Sequence, residues 1–331
     1  MLISGLFFAI LTVKDGLSGK GQPMKRGVCL FLICVLLCLS GCTREVSTQL
    51  FAMDTVMQLQ FWGKDAEKAS ETIQAGIRQN ERTWTVAAVN TALKAMEKGE
   101  PVAYQYQQRA IRALEIKART SGAFDPQLGA AVAAWGFYDK NYTVPSQKTL
   151  DKALAEKNWD LGGMIKGYTA DQCVLALEKL DIDRALLNLG GNIQTYGSKP
   201  GGEPWRIGIQ NPDGGDYLGV VSVEGTMAVV TSGDYQRYFE KDGVRYHHIL
   251  DPQTGMPANS GLRSVTVICR EGLTADALST ALFVMGLEKA GDFWRRSDDF
   301  EAVFVTAKGE IYATEGAALS GCEYEVIRHE N

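Results

Sequence analysis

Residues 236–285 read Gln236-Arg-Tyr-Phe-Glu240-Lys241-Asp242-Gly243-Val244-Arg-Tyr246-His247-His248-Ile-Leu250-Asp251-Pro252-Gln-Thr254-Gly255, then Leu262-Arg-Ser-Val-Thr-Val-Ile-Cys269, then Thr274-Ala-Asp276-Ala-Leu-Ser-Thr280-Ala-Leu-Phe-Val-Met285. Asp-Gly between two strand-like runs, Gln236 to Glu240 and Val244 to Leu250, is a strong hairpin signal. Leu262 to Cys269 alternates as a strand, and Thr274 to Met285 has the length and spacing of a helix. A hairpin, a strand and a helix in succession favour an α+β fold over a regular parallel α/β sheet.

The same mixture extends outward. Upstream, Ala185 to Leu189 is a short buried strand ending at Gly190-Gly191, and Trp205 to Ile209 and Leu218 to Val223 read as strands. Lys166 to Leu180 is a helix, apolar at Cys173, Val174, Leu177 and Leu180, and Pro145 to Glu156 is a shorter one. Gln107 to Ser121 is amphipathic and stops at Gly122, Lys64 to Asn80 has helical spacing, and Thr48 to Trp62 is strand-like. Downstream, Phe300 to Thr306 and Ile311 to Thr314 form a hairpin around Lys308-Gly309. No repeat, low-complexity run or clean linker divides the chain after residue 42, so 42–331 is expected to be one domain.

Composition bounds the class. Of 331 residues 45% are hydrophobic and 22% charged, which suits a soluble globular core. The formal net charge of −5 gives nucleic acid no electrostatic handle, so no nucleic-acid partner is expected. The N-terminus is different in kind. Met24-Lys25-Arg26 begins a basic region, Val28 to Leu39 is wholly apolar, and Leu39-Ser40-Gly41-Cys42 follows. Twelve apolar residues suit a signal peptide better than a membrane span. The order resembles a lipoprotein signal over 24–41, with Cys42 lipidated and the protein anchored to the cell membrane on the extracytoplasmic side. Residues 1–23 then read as a mis-assigned extension ahead of the true start at Met24. Of seven cysteines, Cys29, Cys34 and Cys38 leave with the signal, and Cys173, Cys269 and Cys322 remain without a CxxC pair, which argues against zinc or thioredoxin-like chemistry.

Five short segments carry chemistry. Asp276 and Thr280 are four apart on one helix face, two hard oxygen donors suited to Mg²⁺, with Thr274 as the expected cap. In Tyr246-His247-His248, neighbouring strand residues point to opposite faces, so one histidine is expected to reach a given cleft and move a proton there. Asp251-Pro252 and Thr254-Gly255 make the turn that ends the strand. In Asp160-Leu-Gly-Gly163-Met-Ile-Lys166-Gly-Tyr168, two glycines ahead of a helix let backbone approach a ligand, though the spacing is not that of a P-loop. Asn188-Leu-Gly190-Gly191-Asn192 is a strand running into a glycine turn. Ser121-Gly-Ala-Phe124-Asp125-Pro126 offers an aromatic ring that packs in the core or on a flat ligand.

Together these segments resemble the ApbE family of FAD:protein FMN transferases. The resemblance runs through Ala52-Met53-Asp54-Thr55, SGAFDP, DLGGMIKGY, LNLGGN, TSGDYQRYF at 231–239, RYHHILDPQTGMP at 245–257 and TADALSTALFVMG at 274–286. It implies mixed, largely antiparallel sheets with flanking helices and an FAD cleft between two lobes. It implies Mg²⁺ held by Asp276, Thr280 and a backbone carbonyl near Gly163, and His248 as the base that deprotonates an acceptor hydroxyl. It further implies that Met53, Phe124, Asp125, Asp160, Lys166, Gly190, Gly191 and His248 line the FAD site. The implied reaction is transfer of FMN from FAD to a threonine or serine of another protein, with AMP released. Implied acceptors are subunits of membrane redox complexes, of the sodium-pumping NADH:quinone reductase or Rnf type, or secreted flavin-carrying domains. One departure stands out: after Val86 only Ala87-Ala88 precedes Val89-Asn90, where the family usually carries a polar segment. Two other readings stay open, an Mg²⁺-dependent FAD pyrophosphatase giving FMN and AMP, and a non-catalytic flavin-binding or solute-binding lipoprotein.

Overall fold

The computed structural model describes residues 44–329, so the readings of 1–23, 24–41 and Cys42 lie outside the described residues. The chain opens with a hairpin, β1 (Glu45–Ala52) and β2 (Thr55–Trp62), where the sequence suggested one continuous strand. The break is at Met53 and Asp54, both at positive φ (51° and 61°). Two consecutive left-handed residues make the tight turn whose twist matches a hairpin, at some strain for non-glycine side chains.

Six helices follow: α1 (Ala66–Thr83), α2 (Val86–Glu97), α3 (Tyr104–Arg119), α4 (Gly129–Ala134), α5 (Gln147–Glu156) and α6 (Gly162–Leu177). Helix α1 buries Ala66, Ala69, Ile73 and Ile77, spaced three and four apart, against Leu50, Met57, Leu59 and Phe61 of the hairpin. Then come β3 (Arg184–Asn188), β4 (Asn192–Tyr196), β5 (Trp205–Gln210), β6 (Tyr217–Val223), β7 (Ala228–Gly233), β8 (Tyr238–Lys241), β9 (Val244–His247) and β10 (Leu262–Cys269). Helices α7 (Gly272–Met285) and α8 (Leu287–Arg295) lead to β11 (Phe300–Thr306), β12 (Ile311–Thr314), β13 (Leu319–Ser320) and β14 (Glu325–Ile327).

Among the described residues β1-β2-β3-β4-β7-β10-β11-β12-β14 form one nine-stranded sheet, antiparallel except for the parallel pair β12–β14. A three-stranded sheet, β13-β6-β5, covers one face, where Ile207, Ile209 and Val221 meet Val229, Ile268 and Val303. Helix α7 covers the other face, where Leu278 and Leu282 meet Val230, Val265 and Val267. Strand β7 serves both layers by simple alternation, Val229 toward the small sheet and Val230 toward α7. The fold is therefore α+β with largely antiparallel sheets and flanking helices, as the hairpin–helix order implied.

Candidate active site

The site is built around two helices in unusually close contact. A Cβ placed on Gly167 of α6 would lie 2.0 Å from the carbonyl oxygen of Gly272 at the start of α7, so only glycine permits the approach. The first two amides of α7, Gly272 and Leu273, donate to the two carboxylate oxygens of Asp171 on α6, at 2.6 and 2.9 Å. Burial pushes the Asp171 carboxyl up to about 6, and the two amide bonds pull the other way.

This contact aims Asp276 at α6. Asp276 is almost fully buried, and its Oδ2 accepts the Gly167 N–H at 2.9 Å. In a regular helix that N–H serves the carbonyl four residues back, which is Gly163. The other carboxylate oxygen lies 4.0 Å from Lys166 Nζ. One turn further along α7, Thr280 Oγ1 is 3.4 Å from Ser232 Oγ of β7. A Cβ on Gly163 would stand 3.7 Å from Thr280 Oγ1 and 3.2 Å from the Phe124 ring edge. Thr280 thus faces Gly163, and the Asp276 carboxylate reaches α6 one turn further on, at Gly167. Among the described residues no cluster of three or more His, Cys, Asp or Glu side chains is placed to hold a metal. A cation here would use one carboxylate, one hydroxyl and a carbonyl, a hard all-oxygen set that fits Mg²⁺ and not a soft metal.

His248 lies just beyond the end of β9. The strand stops at His247, so the alternation expected through Leu250 does not run that far: Ile249 and Leu250 are both buried. His247 turns under the core, edge-on to Phe283 at 5.5 Å with Nε2 3.2 Å from the Ala258 carbonyl. His248 faces the other way. Its backbone N–H donates to the Arg237 carbonyl at 3.0 Å, and its Nδ1 is 3.1 Å from the same oxygen. A carbonyl only accepts, so Nδ1 carries the proton and Nε2 keeps its lone pair. Burial, then the charges of Arg237 and Lys166, push the imidazole down to about 3, so it is neutral at physiological pH.

The remaining residues form the surroundings. Asp160 receives the Gly162 N–H and the Tyr138 hydroxyl, each at 2.7 Å. Met53 sits in the hairpin turn with its N–H on Glu81 Oε1 at 2.6 Å, and Asp54 beside it pairs with Lys140 at 2.8 Å. Gly190 and Gly191 lie at positive φ, and both amides point to Asn188 Oδ1 at 3.1 Å. Their contribution is close approach: a Cβ on Gly190 would strike Thr55 at 2.2 Å, and one on Gly191 would meet Gln236 at 3.3 Å. Phe124 is buried in the core beside Leu161 and Met164, and Asp125 pairs with Lys117 at 2.7 Å.

Two further sequence expectations need correction. Gly162 and Gly163 are the first turn of α6 and do not precede it, because Asp160 caps that end from two residues back. Thr274 does not cap α7: the helix starts at Gly272, Asp171 takes its amides, and the Thr274 hydroxyl bonds to Glu271 and Arg112. Residues 86–97, where the polar segment usual in the family is missing, form helix α2. Thr85 caps it by accepting the Ala88 N–H, and Val89 and Leu93 are its buried face, a signal that was available in the sequence. Sequence reasoning also passed over Ser232, Arg237 and Tyr138, which touch Thr280, His248 and Asp160 respectively. A cavity of about 570 Å³, bordered by Val86, Ala87, Lys94 and Asn158, reaches this region at Tyr138. A slightly larger one, about 590 Å³, opens between Glu224, Arg270, Asp298 and Glu301 and contains none of the site residues, so position and not size selects the site.

The arrangement is an α+β scaffold that gathers hard oxygen donors on facing helices, with a neutral histidine on a separate segment. In comparison with known proteins, the sequence profile described as the ApbE family matches residues 53–304. The FAD:protein FMN transferase of Treponema pallidum is 31% identical, over 86% of this chain and 92% of its own. That of Klebsiella pneumoniae is 44% identical over 57% of this chain and 65% of its own. The crystal structure of the ApbE protein from Thermotoga maritima superposes with a TM-score of 0.73 at 31% identity, covering 82% of this chain and 98% of that one. The chain belongs to the ApbE family, whose curated relatives are transferases.

Proposed function

We propose that this protein transfers FMN from FAD to a threonine or serine hydroxyl of target proteins and releases AMP. The observation that carries the reading is the approach of Asp276 and Thr280 of α7 to the first turns of α6, at Gly167 and Gly163, in a chain whose relatives are FAD:protein FMN transferases. Mg²⁺ held by Asp276, Thr280 and the Gly163 carbonyl would neutralise charge on the FAD pyrophosphate. His248 Nε2 takes the proton of the acceptor hydroxyl. The freed oxygen attacks the FMN-side phosphorus, the bond from that phosphorus to the bridging oxygen breaks, and AMP leaves with the bridging oxygen. Lys166, 4.0 Å from Asp276, presents a second positive charge to the phosphates. Met53, Phe124, Asp125, Asp160, Gly190 and Gly191 border the nucleotide. Most of the rate then comes from positioning and charge neutralisation.

The protein works outside the cytoplasm, held to the membrane by lipid on Cys42, with subunits of membrane redox complexes or secreted flavin-carrying domains as acceptors. The apolar run and lipobox order of 28–42 support this placement.

The test incubates the full chain with FAD, Mg²⁺ and an extracytoplasmic domain carrying a candidate acceptor threonine. Expected are an acceptor mass gain equal to FMN and an equivalent of AMP, both abolished by EDTA. AMP and free FMN without a mass gain would make the protein a pyrophosphatase. Bound FAD with neither product would make it a flavin carrier.

A further inference from the structure

Arg237 meets His248 twice. Its carbonyl accepts from both the backbone N–H and Nδ1 of His248, at 3.0 and 3.1 Å. Its guanidinium Nη2 donates to the carbonyl of Phe137 at 2.6 Å. The Phe137 ring, wholly buried, stands edge-on to the imidazole with centroids 6.4 Å apart. Phe137 begins a short strap launched by Gly136, whose φ of 74° and 2.1 Å Cβ clearance to the Asn141 carbonyl admit no other residue. Past Phe137 the strap is fastened at both sides of the site. Tyr138 donates to Asp160 beside α6, and Lys140 pairs with Asp54 in the β1–β2 turn. Arg237 ties this strap to the histidine's own segment by a hydrogen bond, beside the aromatic contacts of Phe239 with Phe137 and Tyr142.

We propose that Arg237 is the positioning residue of His248: its backbone selects the Nδ1–H tautomer, and its guanidinium clamps the Phe137 strap as the wall that holds the ring. The proposal rests on His248 being the base of the transfer. The charged and titratable groups that face His248 are Arg237, Lys166 of α6 and His247, and each disfavours a positive charge on the imidazole. Removing the guanidinium therefore frees the ring to turn and lets it hold a proton to higher pH.

The experiment measures kcat/KM for FMN transfer against pH with the full chain and its Arg237→Gln and Arg237→Lys variants. Arg237→Gln is expected to move the acid limb up by about one pH unit. Arg237→Lys, which keeps the charge, is expected to leave the limb in place while lowering kcat, because an ammonium does not reproduce the planar contact with the Phe137 carbonyl. An acid limb that stays put in the Gln variant would overturn the proposal. A second measurement needs no variant: ¹⁵N NMR of the histidine side chains in the unmodified chain. A neutral His248 protonated at Nδ1 is expected, and one protonated at Nε2 would overturn the proposal even if the variants do not fold. Absence of any FMN transfer by the unmodified chain would instead count against the assigned reaction, leaving the tautomer measurement to decide the positioning.

Discussion

The two walls of the site are held by different physics. The α6–α7 wall is backbone against backbone. Gly167 and Gly272 touch, Asp171 binds the start of α7 from a half-buried position, and the buried Asp276 reaches an amide of α6. The wall carrying His248 is side chain against side chain. Phe239 stacks on Tyr142 at 5.0 Å and on Tyr246 at 5.3 Å, Phe137 packs beside them, and the outer fastenings are solvent-accessible pairs such as Lys140–Asp54. The first wall is fixed by glycine contacts that leave no room for adjustment. The second can yield by rotamer changes, as admission of a protein acceptor requires.

The sharpest way to break this contrast is Gly167→Ala. The added methyl meets the Gly272 carbonyl and the Asp276 Cβ, at 2.0 and 2.8 Å, and neither is a flexible side-chain end. A stability loss of about 3 kcal/mol in urea denaturation is expected, the upper range for overpacking, together with loss of transfer. A fully stable and active variant would show that the helix wall is not rigid. Next is Asp276→Asn, which keeps an acceptor for the Gly167 N–H and removes the charge. Mg²⁺-dependent turnover should fall by about 10²–10³-fold with little change in unfolding midpoint. Unchanged turnover would remove Asp276 from the cation set.

On the other wall, His248→Ala should lower turnover by about 10²-fold or more while FAD binding, followed by flavin fluorescence, persists. Stability against pH separates the walls further. The folded His248 binds its proton more weakly than the unfolded chain does, so its contribution to stability is complete above about pH 6.5 and is lost as pH falls toward 3. Asp171 has the opposite sign: its raised value means that protonation between about pH 6 and the ordinary carboxylate range favours the fold. His248→Ala should therefore flatten the acid loss of stability, and Asp171→Asn should not. The smallest effect is expected from Tyr138→Phe, which deletes one hydrogen bond to Asp160, worth about 1 kcal/mol, and should weaken FAD binding several-fold without altering the pH profile.

Much of this architecture is legible without coordinates. The hairpin at Asp242-Gly243, the buried strand Leu262–Cys269, the helix carrying Asp276 and Thr280 and the three remaining thiols all follow from local pattern. The misreadings share one cause. Thr274 has the residue type of a cap, but the helix starts two residues before it, where the first amides are taken by Asp171, more than a hundred residues earlier in the chain. Met53 and Asp54 carry no glycine to announce a turn, yet both stand at positive φ because the Glu81 and Lys140 contacts hold them there. Tyr138 gave no signal, and Arg237, though inside the TSGDYQRYF segment, showed no role, because both roles are defined only by what lies across the site.

The sequence by itself determined the elements and the chemical kinds. Periodicity, turn residues and donor types are properties of neighbours along the chain, and they sufficed for the α+β class and for the residue types offered as candidate donors. Tertiary structure decided which donors meet, which nitrogen of His248 carries the proton, and why Gly167 must be glycine. Each of those depends on a distance between segments far apart in sequence, and such distances are set only when the core closes.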